Sequence, residues 1–100
     1  MTEVKISDIK PGMRNLTVTG KVLSVSKPKT VRTRYGLAEV ASALIEDDSG
    51  RITLTLWRAQ IQKVKPGYVI KIEGAYVTVF RGKIQLNVSR RGRITVLRKE

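Results

Sequence analysis

The stretch Arg51-Ile52-Thr53-Leu54-Thr55-Leu56-Trp57 alternates strictly between polar and apolar residues. Ile52, Leu54 and Leu56 share one face, while Arg51, Thr53, Thr55 and Trp57 share the other. This is the period-2 signature of a strand covered on one side only. The single tryptophan of the chain thus falls with threonines and an arginine rather than with the aliphatic residues. A large flat aromatic on a polar strand face suits a ligand that has π-faces and carries negative charge.

On the N-terminal side, Asp47-Asp48-Ser49-Gly50 supplies turn residues, so the strand over 51–57 pairs as a hairpin with a strand over 38–45. The inward face of that second strand is open between Val40, Ser42 and Leu44 and the set Ala41, Ala43 and Ile45. Residues 27–36 carry Lys27, Lys29, Arg32 and Arg34 with no acid, a proline and a closing glycine, which reads as an exposed cationic loop. Before it, the apolar residues run Leu16, Val18 and Val22, then switch to Leu23 and Val25. That change of phase predicts a bulge or bend near Gly20 to Leu23 in the first strand. Residues 1–12 form a lead-in that places Ile6 and Ile9 under the fold and turns at Pro11-Gly12.

On the C-terminal side, residues 58–65 lose the alternation, and Pro66-Gly67 stops them within about two turns, so a short helix or helical turn is predicted. A fourth strand starts at Tyr68. Its core residues shift from Ile70 and Ile72 to Ala75, Val77 and Val79, which places a bulge at Gly74 and puts Tyr76, Thr78 and Phe80 outward. After the Arg81-Gly82-Lys83 turn, Ile84, Leu86 and Val88 alternate with Gln85, Asn87 and Ser89 in a fifth strand. Arg90-Arg91-Gly92-Arg93 breaks that pattern and opens a basic C-terminal extension over 90–100, in which Ile94-Thr95-Val96-Leu97 has the composition of a short last strand. Five antiparallel strands with a helix between the third and fourth predict an all-β, five-stranded Greek-key OB-fold barrel; an SH3-like barrel is the structural alternative.

One hundred residues make one domain, 1–100. Twenty Lys and Arg against eight Asp and Glu leave a net charge of +12, which implies a polyanionic partner. The absence of Cys and His excludes disulfides and thiolate zinc sites, and removes the commonest metal ligand and the commonest neutral-pH base. No cofactor and no enzymatic activity are expected. Charges interrupt the first twenty residues and no 18-residue apolar run follows, so a soluble, cytoplasmic and nucleoid-associated chain that is monomeric without ligand and meets no membrane is expected.

Residues 36–57 (GLAEVASALIEDDSGRITLTLW) and 64–80 (VKPGYVIKIEGAYVTVF) closely resemble the archaeal single-stranded-DNA-binding proteins of the one-OB-domain kind, relatives of replication protein A OB domains. The resemblance runs collinearly from about Ile6 to Ser89. It implies base-stacking aromatics at Trp57, Tyr76 and Phe80, the three residues that alternation alone turns outward. It also implies protection of exposed strands in replication, repair and recombination. Such proteins commonly end in a glycine-rich acidic tail that recruits partners. This sequence closes on a basic stretch, so recruitment of that kind is not expected. Tyr76 stands where tryptophan is usual, which implies weaker stacking there.

Each residue also has a plainer reading. Trp57 as an ordinary buried tryptophan is opposed by its threonine neighbours, whereas Tyr76 and Phe80 could sit under a loop. Tyr35 either caps a base or packs locally. Lys27, Lys29, Arg32 and Arg34, with Arg58, Arg81 and Lys83, either track phosphates or form a solvated surface. Thr53, Thr55, Gln85 and Asn87 suit sugars or base edges as well as they suit water. The carboxylates Glu46, Asp47 and Asp48 read as turn chemistry rather than a metal site. Beside single-stranded DNA, two other readings stand: a single-stranded RNA binder, and a protein-docking OB subunit.

Overall fold

The fold comes from a computed structural model that describes residues 2–99. Met1 and Glu100, the outer ends of the expected lead-in and extension, lie outside the described residues. In chain order the elements are β1 (Thr2–Glu3), a 3-10 turn (Ile6–Asp8), β2 (Leu16–Val25), β3 (Lys29–Thr33), β4 (Gly36–Glu46), β5 (Arg51–Trp57), α1 (Gln60–Lys63), β6 (Val69–Phe80) and β7 (Lys83–Arg98). The sheet order is β1-β2-β6-β7-β5-β4-β3, and a further pairing of β2 with β4 closes β2, β6, β7, β5 and β4 into a ring. Those five are the strands expected from the sequence, with the short helix between the third and the fourth of them, as in an OB-fold. No helix among the described residues is long and apolar enough to cross a membrane.

The alternation of β5 drives the closure. Ile52, Leu54 and Leu56 are buried in the ring against Val18 and Val22 of β2, Ile70 and Ile72 of β6 and Leu86 of β7. Each fully buried aliphatic contributes about 1.5 to 3 kcal/mol. The open register of β4 is settled by its pairing: Ala41, Ala43 and Ile45 oppose Leu56, Leu54 and Ile52 and point inward. In β2 the register against β4 shifts between Val22 and Ser24, where the phase change lies, so one strand serves β6 with its first half and β4 with its second. The lead-in buries Ile6 and Ile9 at one end of the ring. It is held by Asp47, whose Oδ2 accepts from the Ile6 N–H at 2.9 Å while Oδ1 accepts from the Ser49 N–H at 2.7 Å and the Gly50 N–H at 3.1 Å. Glu46 pairs with Arg51 and Asp48 with Lys5, so all three carboxylates serve the hairpin turn.

Three expectations are corrected. The strands are not all antiparallel: β5 runs parallel to β7 over Thr53↔Gln85, Leu54↔Leu86 and Thr55↔Asn87. Residues 27–36 are not a loop; Lys29–Thr33 pairs with the start of β4 in a two-stranded arm, because Thr30-Val31-Arg32-Thr33 has β-forming residues in alternation. Residues 90–93 do not end the sheet. β7 continues through them, and Ile94, Thr95 and Val96 pair with Ile72, Lys71 and Ile70. The register between β6 and β7 shifts across Glu73 and Ala75, and here the backbones of Gly74 and Gly92 touch. A Cβ on Gly74 would come within 2.8 Å of the Gly92 Cα, and Gly74 holds a φ of +70°. Glycine at both positions lets the strands cross closely and turns Tyr76 outward.

Candidate nucleic-acid interface

The outer surface over β5, β7 and β6 is assembled in rows by the strand register. Thr53, Gln85 and Thr78 lie side by side, and Thr55, Asn87 and Tyr76 form the next row. Trp57 closes β5 opposite Val40, and Phe80 closes β6 opposite Lys83. The end of β5 is fixed in place, since the Trp57 N–H donates to Gln60 Oε1 at 2.9 Å and the Arg58 N–H to the Glu39 carbonyl at 2.9 Å. Exposed Arg58 carries a left-handed φ of 55° that turns the chain away directly after the tryptophan.

Half-buried Trp57 lines a groove of about 370 Å³ together with Phe80, Thr55 and Gln85. The arm adds Lys29, Val31 and Val40 to the same lining, with Lys27 at its root. Two lysines and no carboxylate line this space, so its electrostatics favour an anion beside two aromatic rings. Phe80 is 57% exposed, and the Arg81 guanidinium lies 5.2 Å from its ring centroid, within cation-π range. A flat ligand on Phe80 therefore meets a cation at the same ring.

The three outward aromatics do not share one depression. Tyr76, 38% exposed, opens into a separate hollow of about 480 Å³ formed with Met13, Arg14, Asn15, Gly74 and Ser89. Asn87, which alternation assigns to the outward polar set, is held by its neighbours in the sheet. It is only 8% exposed, and its Nδ2 donates to Thr78 Oγ1 at 2.9 Å, because the neighbouring strands crowd it. Thr78 and half-buried Gln85 are the polar groups that reach the surface there, and half-buried Thr53 sits at a different depression beside Ser24 and Leu44.

The cations divide in the same way. Lys27 and Lys29 line the Trp57 groove, and Arg81 and Lys83 flank Phe80. On the arm, Arg32 alternates with Lys29 and Val31 and so lies on the opposite face, across from Leu37. Arg34 and Tyr35 sit at the tip, where the Tyr35 N–H donates to Thr33 Oγ1 at 3.1 Å and Tyr35 as a residue is 79% exposed. None of these three lines the groove. The apolar wall of Val31 and Val40 escapes a sequence reading that treats 27–36 as a loop. The Met13, Arg14 and Asn15 rim of the Tyr76 hollow leaves no local signal at all.

Compared with known proteins, residues 9–96 match the family described as single-stranded DNA binding protein Ssb-like, OB fold. The single-stranded DNA binding protein Ssb of Saccharolobus solfataricus is 37% identical over 92 residues, covering 92% of this chain and 62% of that protein. This chain thus spans about three fifths of that relative's length. Replication factor A of Methanothermobacter thermautotrophicus is 32% identical over 88 residues, 83% of this chain and 11% of that one. Among solved structures, the OB domain of a Thermoplasma acidophilum protein superposes with a TM-score of 0.86 at 26% identity, covering 100% of this chain and 91% of that one.

Proposed function

Because the chain belongs to the Ssb-like family of single-stranded-DNA-binding OB-folds, a family of DNA-binding domains rather than enzymes, we propose that it binds single-stranded DNA largely without sequence preference. Bases stack on Trp57, Phe80 and Tyr76, and Lys27, Lys29, Arg81 and Lys83 meet the phosphates. The observation that carries this reading is the groove that Trp57 and Phe80 line together with two lysines and no carboxylate. Its cellular role on this reading is the protection of exposed strands in replication, repair and recombination.

The energetics require both parts. Stacking contributes about 1 to 3 kcal/mol per base, so three platforms give a gross ~3 to 9 kcal/mol. Micromolar binding needs about 8 kcal/mol net, and ordering the strand opposes it, so the cations are needed. Neutralising four phosphates gives a slope of log K against log salt near −3 for a single strand. Duplex DNA is the poorer ligand, because its bases are already stacked and paired.

The test is anisotropy of a labelled thymine oligonucleotide across a salt series, with unlabelled single strand, ribo-oligonucleotide and duplex as competitors. A slope near −3, residual binding at high salt and weak competition by duplex are expected. Binding that vanishes at modest salt would show that the aromatics are not engaged.

A further inference from the structure

Past residues 90–93 the last strand runs on with one edge open. β5 pairs with β7 only from Thr53↔Gln85 to Thr55↔Asn87, whereas Arg93, Ile94, Thr95 and Val96 pair with Glu73, Ile72, Lys71 and Ile70 of β6. On the side away from β6 this stretch meets no strand, and among the described residues no backbone hydrogen bond from a turn or loop reaches it. Such an edge offers alternating N–H and C=O groups to an extended chain.

The side chains around this edge are cationic. Arg91 and Arg93 are exposed on β7, and a hollow of about 440 Å³ is lined by Ile94 and Val96 together with Tyr68, Lys63, Lys65 and Lys99, with no carboxylate. The Lys99 ammonium lies 5.9 Å from the Tyr68 ring centroid, within cation-π range. Lys63, Lys65, Arg91 and Arg93 make no ion pair among the described residues, although Glu73 stands across the ladder from Arg93. Leu97, 53% exposed, adds an apolar group to the same segment. This hollow shares no lining residue with the Trp57 groove or the Tyr76 hollow.

Three kinds of occupant would meet the edge differently. A DNA backbone brings acceptors only, which leaves the edge carbonyls facing phosphates. A second copy paired edge to edge would set its own arginines against Arg91 and Arg93, and like charges across a ladder repel. An extended acidic peptide matches both the backbone groups and the charge. We propose that residues 93–98 of β7 dock an acidic segment of a partner protein as an added strand. Its carboxylates lie beside Arg91, Arg93, Lys63 and Lys65, and an apolar side chain lies beside Leu97. The Trp57 groove stays free, so peptide and single strand bind together.

The probe is a short labelled peptide of alternating glutamate and valine, compared with the same peptide N-methylated at every residue, which keeps the charge and loses the N–H donors. The unmodified peptide should bind, shift the amides of residues 93–98 and slow their hydrogen exchange. It should leave Trp57 fluorescence unchanged and stay bound when a thymine oligonucleotide saturates the protein. Replacing both Lys63 and Lys65 with alanine should weaken the peptide by about 2- to 30-fold, the equivalent of two exposed ion pairs, and leave affinity for the oligonucleotide unchanged. No binding of the unmodified peptide, equal binding of the N-methylated one, or displacement by the oligonucleotide would overturn the docking edge. The same amide shifts produced by the oligonucleotide alone would overturn it too, by making nucleic acid the occupant.

Discussion

Replacing Gly92 with alanine puts the crossing of β6 and β7 to a direct test. A Cβ there would lie 2.4 Å from the Glu73 carbonyl oxygen, 2.9 Å from Val88 Cγ1 and 3.0 Å from the Gly74 carbonyl oxygen. Carbon and carbonyl oxygen approach to about 3.3 to 3.6 Å without penalty, so the strands must part by roughly 1 Å. Two of the three obstacles are backbone atoms of β6, which no rotamer change moves aside. Overpacking of this kind costs about 1 to 3 kcal/mol, and each ladder hydrogen bond lost at the crossing adds about 0.5 to 1.5 kcal/mol. A total of about 3 kcal/mol follows, which in a domain of this size lowers Tm by roughly 12 to 24 °C. Gly50→Ala is the control, because its nearest neighbour is Ile6 Cγ2 at an ordinary 3.7 Å. It should move stability by no more than about 1 kcal/mol. Thermal and urea melts followed by far-UV circular dichroism measure both variants. If Gly92→Ala melts within about 1 kcal/mol of the unaltered protein, the strands do not touch there, and the account of how Tyr76 is turned outward fails.

Phe80→Ala should raise Kd for a thymine oligonucleotide by about 5- to 140-fold, the equivalent of about 1 to 3 kcal/mol of stacking, with a smaller loss of Tm than Gly92→Ala. Replacing both Lys27 and Lys29 with alanine should make the salt slope shallower by about 1.4, which titrations at several salt concentrations would read. Tyr35→Ala should leave affinity unchanged, since that ring stands at the arm tip; a loss matching that of Phe80→Ala would place the tip in the interface. Acid lability should trace to Asp47. Burial raises the pKa of its carboxyl, but hydrogen bonds from the Ser49 hydroxyl and from the N–H groups of Ile6, Ser49 and Gly50 outweigh this and hold it below the ordinary range. A depressed folded value contributes stability above the unfolded value of about 3.9, and that contribution is lost as pH falls through the folded value. Urea midpoints should therefore fall below about pH 4, and Asp47→Asn should show a shallower fall from a lower starting stability.

Where one face of a strand meets the core, the sequence is easy to read. The alternation of β5, the hairpin at 47–50 and the phase switch at Gly74 each follow from residues within one window, and they suffice to place β4, β5 and β6 along the chain but not the parallel pairing of β5 with β7. The arm was obscured because β3 has no core face: its alternation is spread among cations, and only its partner β4 gives it a structural role. The run of β7 through residues 90–93 depends on Gly92 meeting Gly74, a contact between distant segments that period-2 counting does not reach. Asn87 shows a different limit. Alternation assigns it to the outer face, but crowding by the adjacent strands decides that it is covered and bonded to Thr78. The Tyr76 hollow likewise needs the fold, since Met13, Arg14 and Asn15 come to Tyr76 only when β2 pairs with β6.

The central claim is that bases stack on the outer face of the barrel at Trp57. As the chain holds one tryptophan, its fluorescence reports that position alone. Titrating the protein with a short thymine oligonucleotide, and separately with a duplex of equal length, at low and high salt is the most direct measurement. Saturable quenching by the single strand that persists at high salt, with weaker quenching by the duplex, is the predicted result. Fluorescence that stays constant while the single strand binds would contradict it.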